Sequence, residues 1–182
     1  MSITLLNETP YVAQFTVLKG QQVIERLPGI PSGARIVVPT DSVYTVNATT
    51  IIDGNTYITP SMDVTSGTRF LAQIKQSQNQ SGTYAFELVE LPSTNASQLQ
   101  FEKTVLPAVT FSIYKNGRLN QTVTVGTNTN LSVLNIGDIF YIHAVINGVT
   151  TQTVEASNAP ATVAAINADS DLDNGYSTLE LR

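Results

Sequence analysis

The chain has 182 residues, a length that suits one large domain or two small ones. Only 13% of it is charged while 42% is hydrophobic, the difference being made up by Thr, Asn, Ser and Gln; this excludes a disordered chain and a helical membrane span and leaves a folded, soluble protein. Nine basic against fourteen acidic residues give a net charge of −5 with the basic ones scattered, which argues against nucleic acid as a partner, and with no cysteine there is no disulfide, thiolate metal site or thiol nucleophile.

The opening stretch MSITLLNETPYVAQF lacks the basic, apolar and small-residue succession of a secretory signal, so the default expectation is a cytoplasmic location. Runs rich in Val, Ile, Thr, Tyr and Phe then predict strands at residues 12–18, 35–39, 43–52 and 84–91. Residues 90–104, ELPSTNASQLQFEKT, carry Pro, Ser and Asn and lose the alternation at their start, which marks a candidate linker. Beyond it, strands are predicted at 109–114, 122–125, 139–146, 150–154 and 177–181. Residues 159–169, with Pro160 and five alanines, are ambiguous between helix and strand. Asp53-Gly54, Asn116-Gly117 and Asn147-Gly148 are the dipeptides that accept positive φ in tight hairpins.

The two halves resemble each other. The segment from Phe15 to Lys19 matches that from Phe111 to Lys115 at an offset of 96, and Tyr44 to Ala48 matches Phe140 to Ala144 at the same offset. Gly82 to Leu88 matches Gly175 to Leu181 at 93. The expected fold is therefore all-β, with two tandem, similar antiparallel β-sandwich-like units: residues 1–92, a linker at 93–104, and residues 105–182. Units of this size bury a modest share of their surface, so docking of the two units or self-association into a homo-oligomer is expected.

One loop carries a ligand-like spacing. Asp169, Asp171 and Asp173 stand at positions 1, 3 and 5 of a twelve-residue stretch with Glu180 at position 12, the spacing of hard oxygen ligands around calcium. This loop resembles the EF-hand calcium loop over those twelve residues, and the resemblance implies calcium as a cofactor. It departs from that pattern at position 6, where Asn174 replaces Gly, and at position 8, where Tyr176 replaces an aliphatic residue. Asn174 and Tyr176 are the candidate ligand contacts of the same loop. The opposing reading is an acidic hairpin in which Asp and Asn serve the turn.

His143, the single histidine, shares a strand face with Tyr141 and Val145 and has no nucleophile turn to accompany it, so no catalytic residue is assigned. Tyr11, Tyr57, Tyr114 and Tyr176 fall near predicted strand ends, where a binding surface uses them. The expected function is a non-catalytic binding or assembly protein, with a glycan or a protein as ligand and a calcium-assisted glycan-binding module as its sharpest form. A membrane-active β protein is the second reading, and a hydrolase with dispersed carboxylates the third.

Overall fold

In the computed structural model the described residues are 1–76, 84–157, 159–167 and 177–182. They form an all-β protein. The first half contributes β1 (Ser2–Asn7), β2 (Ala13–Lys19), β3 (Gln22–Arg26), β4 (Arg35–Pro39), β5 (Tyr44–Ile52), β6 (Asn55–Ile58), β7 (Met62–Val64), β8 (Thr68–Gln76) and β9 (Tyr84–Pro92). The second half contributes β10 (Gln98–Lys103), β11 (Val109–Lys115), β12 (Arg118–Val125), β13 (Leu131–Asn135), β14 (Phe140–Ile146), β15 (Val149–Thr150), β16 (Val154–Ala156), β17 (Ala161–Asn167) and β18 (Ser177–Leu181).

The expected strands are present, and the three hairpin turns form as their chemistry requires. Asp53, Asn116 and Asn147 adopt φ of 50°, 51° and 50°, each followed by a glycine at 75–78°. Within the ambiguous alanine-rich stretch, Ala161–Asn167 are strand β17, whose Val163, Ala164 and Ala165 are buried, while residues 168–169 lie outside the described residues. Residues 150–154 are not one strand but the end of β15 and the start of β16. Between them the Thr151 backbone N–H donates to the Ala144 carbonyl, while the Thr151 hydroxyl accepts from the Ala144 N–H, so a side chain does part of the ladder's work.

The linker assignment at 93–104 does not hold. Its second part is β10, a central strand with an alternating inward face on which Leu99 and Phe101 are fully buried. The reason is visible in QLQFEK: only two apolar side chains mark the inward face, whose third position is Lys103, and the other three residues are polar, so the pattern is faint.

Two compact units are present, and neither is a half of the chain. Unit 1 comprises residues 1–42 and 137–182, and unit 2 comprises residues 43–136. Unit 1 holds one sheet in the order β18-β17-β1-β4 and another in the order β15-β14-β2-β3, with β16 also on β14. Unit 2 holds sheets in the order β13-β10-β8-β9 and β12-β11-β5-β6, with β7 also on β5. Pairings are antiparallel except for β1 with β17 and β10 with β8, which are parallel.

The matched segments therefore pair crosswise. β2 pairs with β14 so that Phe15 faces Ala144 and Lys19 faces Phe140. β11 pairs with β5 so that Phe111 faces Ala48 and Lys115 faces Tyr44, every position being displaced by 96 residues from its counterpart. A ladder irregularity falls between Val17 and Leu18 in one unit and between Ile113 and Tyr114 in the other, again 96 apart. The third match lies partly outside the described residues, since Gly82 and Gly175 are among those not described.

Alternation places the core of each unit between its sheets. In unit 2, Phe101 of one sheet stacks beside Phe70 at 5.8 Å and meets Phe111 of the other sheet at 5.1 Å. All three rings are fully buried, and burying a side chain of this size contributes about 2–3 kcal/mol. In unit 1, Ile3, Leu5 and Val163 of one sheet and Phe15, Val17 and Ile142 of the other are buried in the same way.

Candidate functional site

Of the residues singled out in the acidic loop, Asp169, Asp171, Asp173, Asn174 and Tyr176 lie outside the described residues. Glu180 is described, on β18 opposite Ala164. Its carboxylate accepts from Arg182 at 3.1 and 3.3 Å, and the same guanidinium donates to both oxygens of Glu8 at 2.8 and 2.9 Å. The hydrogen bonds from Arg182 lower the Glu8 carboxyl below its ordinary range, and those to Glu8 and then Glu180 raise the Arg182 guanidinium. Glu180 is thus held by an arginine at the end of β18. Among the described residues no three metal-ligating side chains come together.

His143 stands opposite Thr16 on the outward face of β14, whose other face presents the buried Phe140, Ile142, Ala144 and Ile146. Two buried polar side chains that escaped the sequence reading have a structural task. Asn7 ends β1 and donates to the carbonyls of Tyr11 and Ile30 at 2.7 and 2.8 Å, while its oxygen accepts from the Thr9 hydroxyl at 2.7 Å. Ninety-six residues on, Lys103 ends β10 and donates to the carbonyls of Val105 and Leu106 at 2.9 and 3.1 Å. Each clamps the loop that leaves a central strand, Lys103 by capping two of its carbonyls and Asn7 by adding a bond to carbonyls that also accept from the Thr9 hydroxyl and the Ala13 N–H.

The described residues of unit 2 enclose a concavity of about 420 Å³ lined by Ile52, Asp53, Asn55, Tyr57, Ile74, Tyr84 and Phe86. Two hairpins build it. The β5–β6 hairpin pairs Ile52 with Asn55 and Thr50 with Tyr57, so that Ile52, Asn55 and Tyr57 fall on the face shared with buried Thr50. The β8–β9 pair sets Ile74 opposite Phe86, on the face that carries buried Phe70 and Ala72. β6 and β9 end their sheets, and no other described strand lies beyond them. Phe86 is 8% exposed and Tyr84 is 55% exposed, which gives the concavity an apolar floor and an aromatic rim. Among the described residues that line it, Asp53 is the sole carboxylate and none is a cation. The Asn55 amide makes only a long bond, 3.4 Å, to the Asp53 carbonyl.

The corresponding place in unit 1 is built differently. With Ala165 beside Asn7 taken as the counterpart of Ala72 beside Lys103, the strand pairing rather than the third sequence match sets Asn167 and Ser177 at the positions of Ile74 and Phe86, and the Ser177 hydroxyl lies 3.4 Å from the Asn167 side-chain oxygen. The Gln152 amide donates to the Leu179 carbonyl at 3.3 Å, tying the segment between β15 and β16 to β18. Ile146, which precedes the Asn147-Gly148 turn as Ile52 precedes Asp53-Gly54, is 3% exposed. The described residues of unit 1 carry another concavity of about 600 Å³, lined by Met1, Lys19, Thr40, Asp41, Asp138, Phe140, Ser157 and Ala159. Its two cations each face a carboxylate, Lys19 with Asp138 at 3.7 Å and the Met1 ammonium with Asp41 at 3.8 Å. Larger though it is, it offers one aromatic ring and charges that already offset one another, so the smaller concavity has the better ligand chemistry.

Of the four tyrosines that sequence position suggested for a binding surface, Tyr57 lines the concavity. Tyr84, Phe86, Ile52 and Ile74 had no signal in the sequence, because each reads as an ordinary core position of its strand. Compared with models of protein families, with curated proteins and with solved structures, the chain matches none.

Proposed function

We propose that the protein is a non-catalytic binding protein built on a duplicated β unit, and that its ligand seats in the concavity at the open end of the unit 2 core. The observation that supports this is the set of inward-facing Ile52, Tyr57, Ile74 and Phe86 side chains which the sheets do not cover and which line a concavity with Asp53 and Asn55. Apolar walls with a few convergent polar groups, in a volume near the lower end of the roughly 300–1,000 Å³ usual for ligand sites, are what a small-ligand site requires. The non-catalytic part of the reading rests on a chain with one histidine, placed on an outward sheet face, and no cysteine.

Duplication of the unit does not double the site in this reading, because unit 1 has Asn167 and Ser177 where unit 2 has Ile74 and Phe86. One ligand per chain is expected. Titrating the isotope-labelled full-length chain with phenol and cyclohexanol should perturb the resonances of Tyr57, Ile74, Tyr84 and Phe86 before others, and Tyr84→Ala should weaken both probes. Perturbations scattered over the surface, or none, would remove the reading. A calcium-assisted form of the same proposal rests on the spacing of Asp169, Asp171, Asp173 and Glu180 in the sequence.

A further inference from the structure

The lining of the unit 2 concavity narrows the chemistry of what it can hold. Among the described residues that line it, the single formal charge is the Asp53 carboxylate and none is Lys, Arg or His, while the whole chain carries a charge of −5. An anionic ligand would enter against that field with no cation to receive it. The ligand is therefore neutral or cationic.

Between those, the polar groups decide. A methylated ammonium is held by aromatic faces and a nearby carboxylate and makes no use of directional hydrogen bonds. This lining has several directional groups: the Asp53 carboxylate accepts, the Asn55 amide donates and accepts, and the hydroxyls of Tyr57 and Tyr84 do both. A concavity of about 420 Å³ also exceeds what one ammonium head group fills. A pyranose ring matches the set, since it has an apolar face of C–H groups to lay on an aromatic ring and an edge of hydroxyls that donate and accept together.

The acceptor is also held in place in advance. Asp53 sits at a φ of 50° in a two-residue turn, paired on both sides by the Ile52–Asn55 register, so its backbone is fixed before a ligand arrives. Little ordering cost then remains for binding. Asn55 makes only its long bond to the Asp53 carbonyl, which a sugar hydroxyl can replace at small loss.

We infer that the concavity is a neutral-sugar subsite, in which Tyr84 and Tyr57 offer ring faces to a pyranose while Asp53 and Asn55 take its hydroxyls. The inference rests on the binding reading above and deepens it. The same chain supplies the variant that tests it: Asn116 and Asn147 hold the turn conformation of Asp53, so Asp53→Asn keeps the hairpin while removing the charge and one acceptor.

The test is saturation-transfer NMR and calorimetry on the full-length chain with methyl glycosides of glucose, galactose and mannose, and with choline and cyclohexanol alongside. At least one glycoside should bind, with Tyr84→Ala weakening it tenfold or more and Asp53→Asn severalfold, while the melting temperature of Asp53→Asn stays near that of the parent. If choline or cyclohexanol binds at Tyr84 and every glycoside is silent, the sugar assignment is overturned and the binding reading stands. If no probe binds, both fall. Glycoside binding that neither variant alters would put the sugar elsewhere and overturn the inference.

Discussion

Asn7 and Lys103 occupy the same place in the two units and do the same work with different chemistry. Asn7 faces Ala165 across the parallel β1–β17 pair, and Lys103 faces Ala72 across the parallel β10–β8 pair. Both are buried and each donates to two backbone carbonyls, Lys103 to two in the loop that follows it and Asn7 to one in that loop and to Ile30. Neither could be picked out from sequence, because an Asn or a Lys after an apolar strand reads as the start of a solvated turn. Asn7→Ala should destabilise the protein by about 1–3 kcal/mol, since it removes buried hydrogen bonds to the Tyr11 and Ile30 carbonyls and from the Thr9 hydroxyl, and urea unfolding measures it. At the other residue-scale contact, Arg182 holds the Glu8 carboxyl below its ordinary range. A lowered folded pKa contributes stability that is present above the unfolded value, about 4.3, and lost as pH falls through the folded one. The stability difference between the parent and Glu8→Gln should therefore shrink as pH is taken from 7 to below 4, and the whole effect should be small and salt-sensitive because the groups are exposed.

Among the elements, those with strong alternation or an Asn-Gly or Asp-Gly turn were legible. β5, β11 and β14 bury every second residue and carry their apolar side chains in that pattern. β10 and β17 were not legible, for opposite reasons. In β10 two apolar residues among four polar ones leave too faint a pattern, and in β17 small alanines blur the distinction between a helix and a strand. The segment that joins β17 to β18 contains Asp169, Asp171 and Asp173, which lie outside the described residues. If that segment takes calcium with Glu180, the ion must compete with Arg182 for the carboxylate. Calorimetry should then show Ca²⁺ binding to the parent, loss of it in Asp171→Ala, and tighter binding in Arg182→Ala; no heat and no shift in melting temperature in the parent would remove calcium from the proposal.

At the scale of the whole molecule, each compact unit takes β strands from both halves of the chain. A break in the exposed turn between β9 and β10 would therefore leave two fragments that still share four sheets. With a protease site inserted between Thr94 and Asn95, the cut protein should elute as one species in native buffer and separate only in denaturant. Two tandem domains that folded independently on residues 1–92 and 105–182 would come apart without it. The concavity also belongs to this scale, since it is lined from two hairpins that meet only in the folded unit 2.

The sequence by itself determined the class of the fold, the hairpin turns and the existence of matched segments, because these depend on the alternation of side chains along a strand and on which residues accept positive φ. Tertiary structure alone decided which segments pair. β2 and β11 present the same pattern, as do β5 and β14, so pairing within a half and pairing across halves satisfy the same local rules, and only long-range packing chooses between them. Tertiary structure likewise decided where the core stays open. Ile74 and Phe86 are core residues in any strand-by-strand reading, and they line a concavity because the fold of unit 2 brings the β8–β9 pair beside the β5–β6 hairpin.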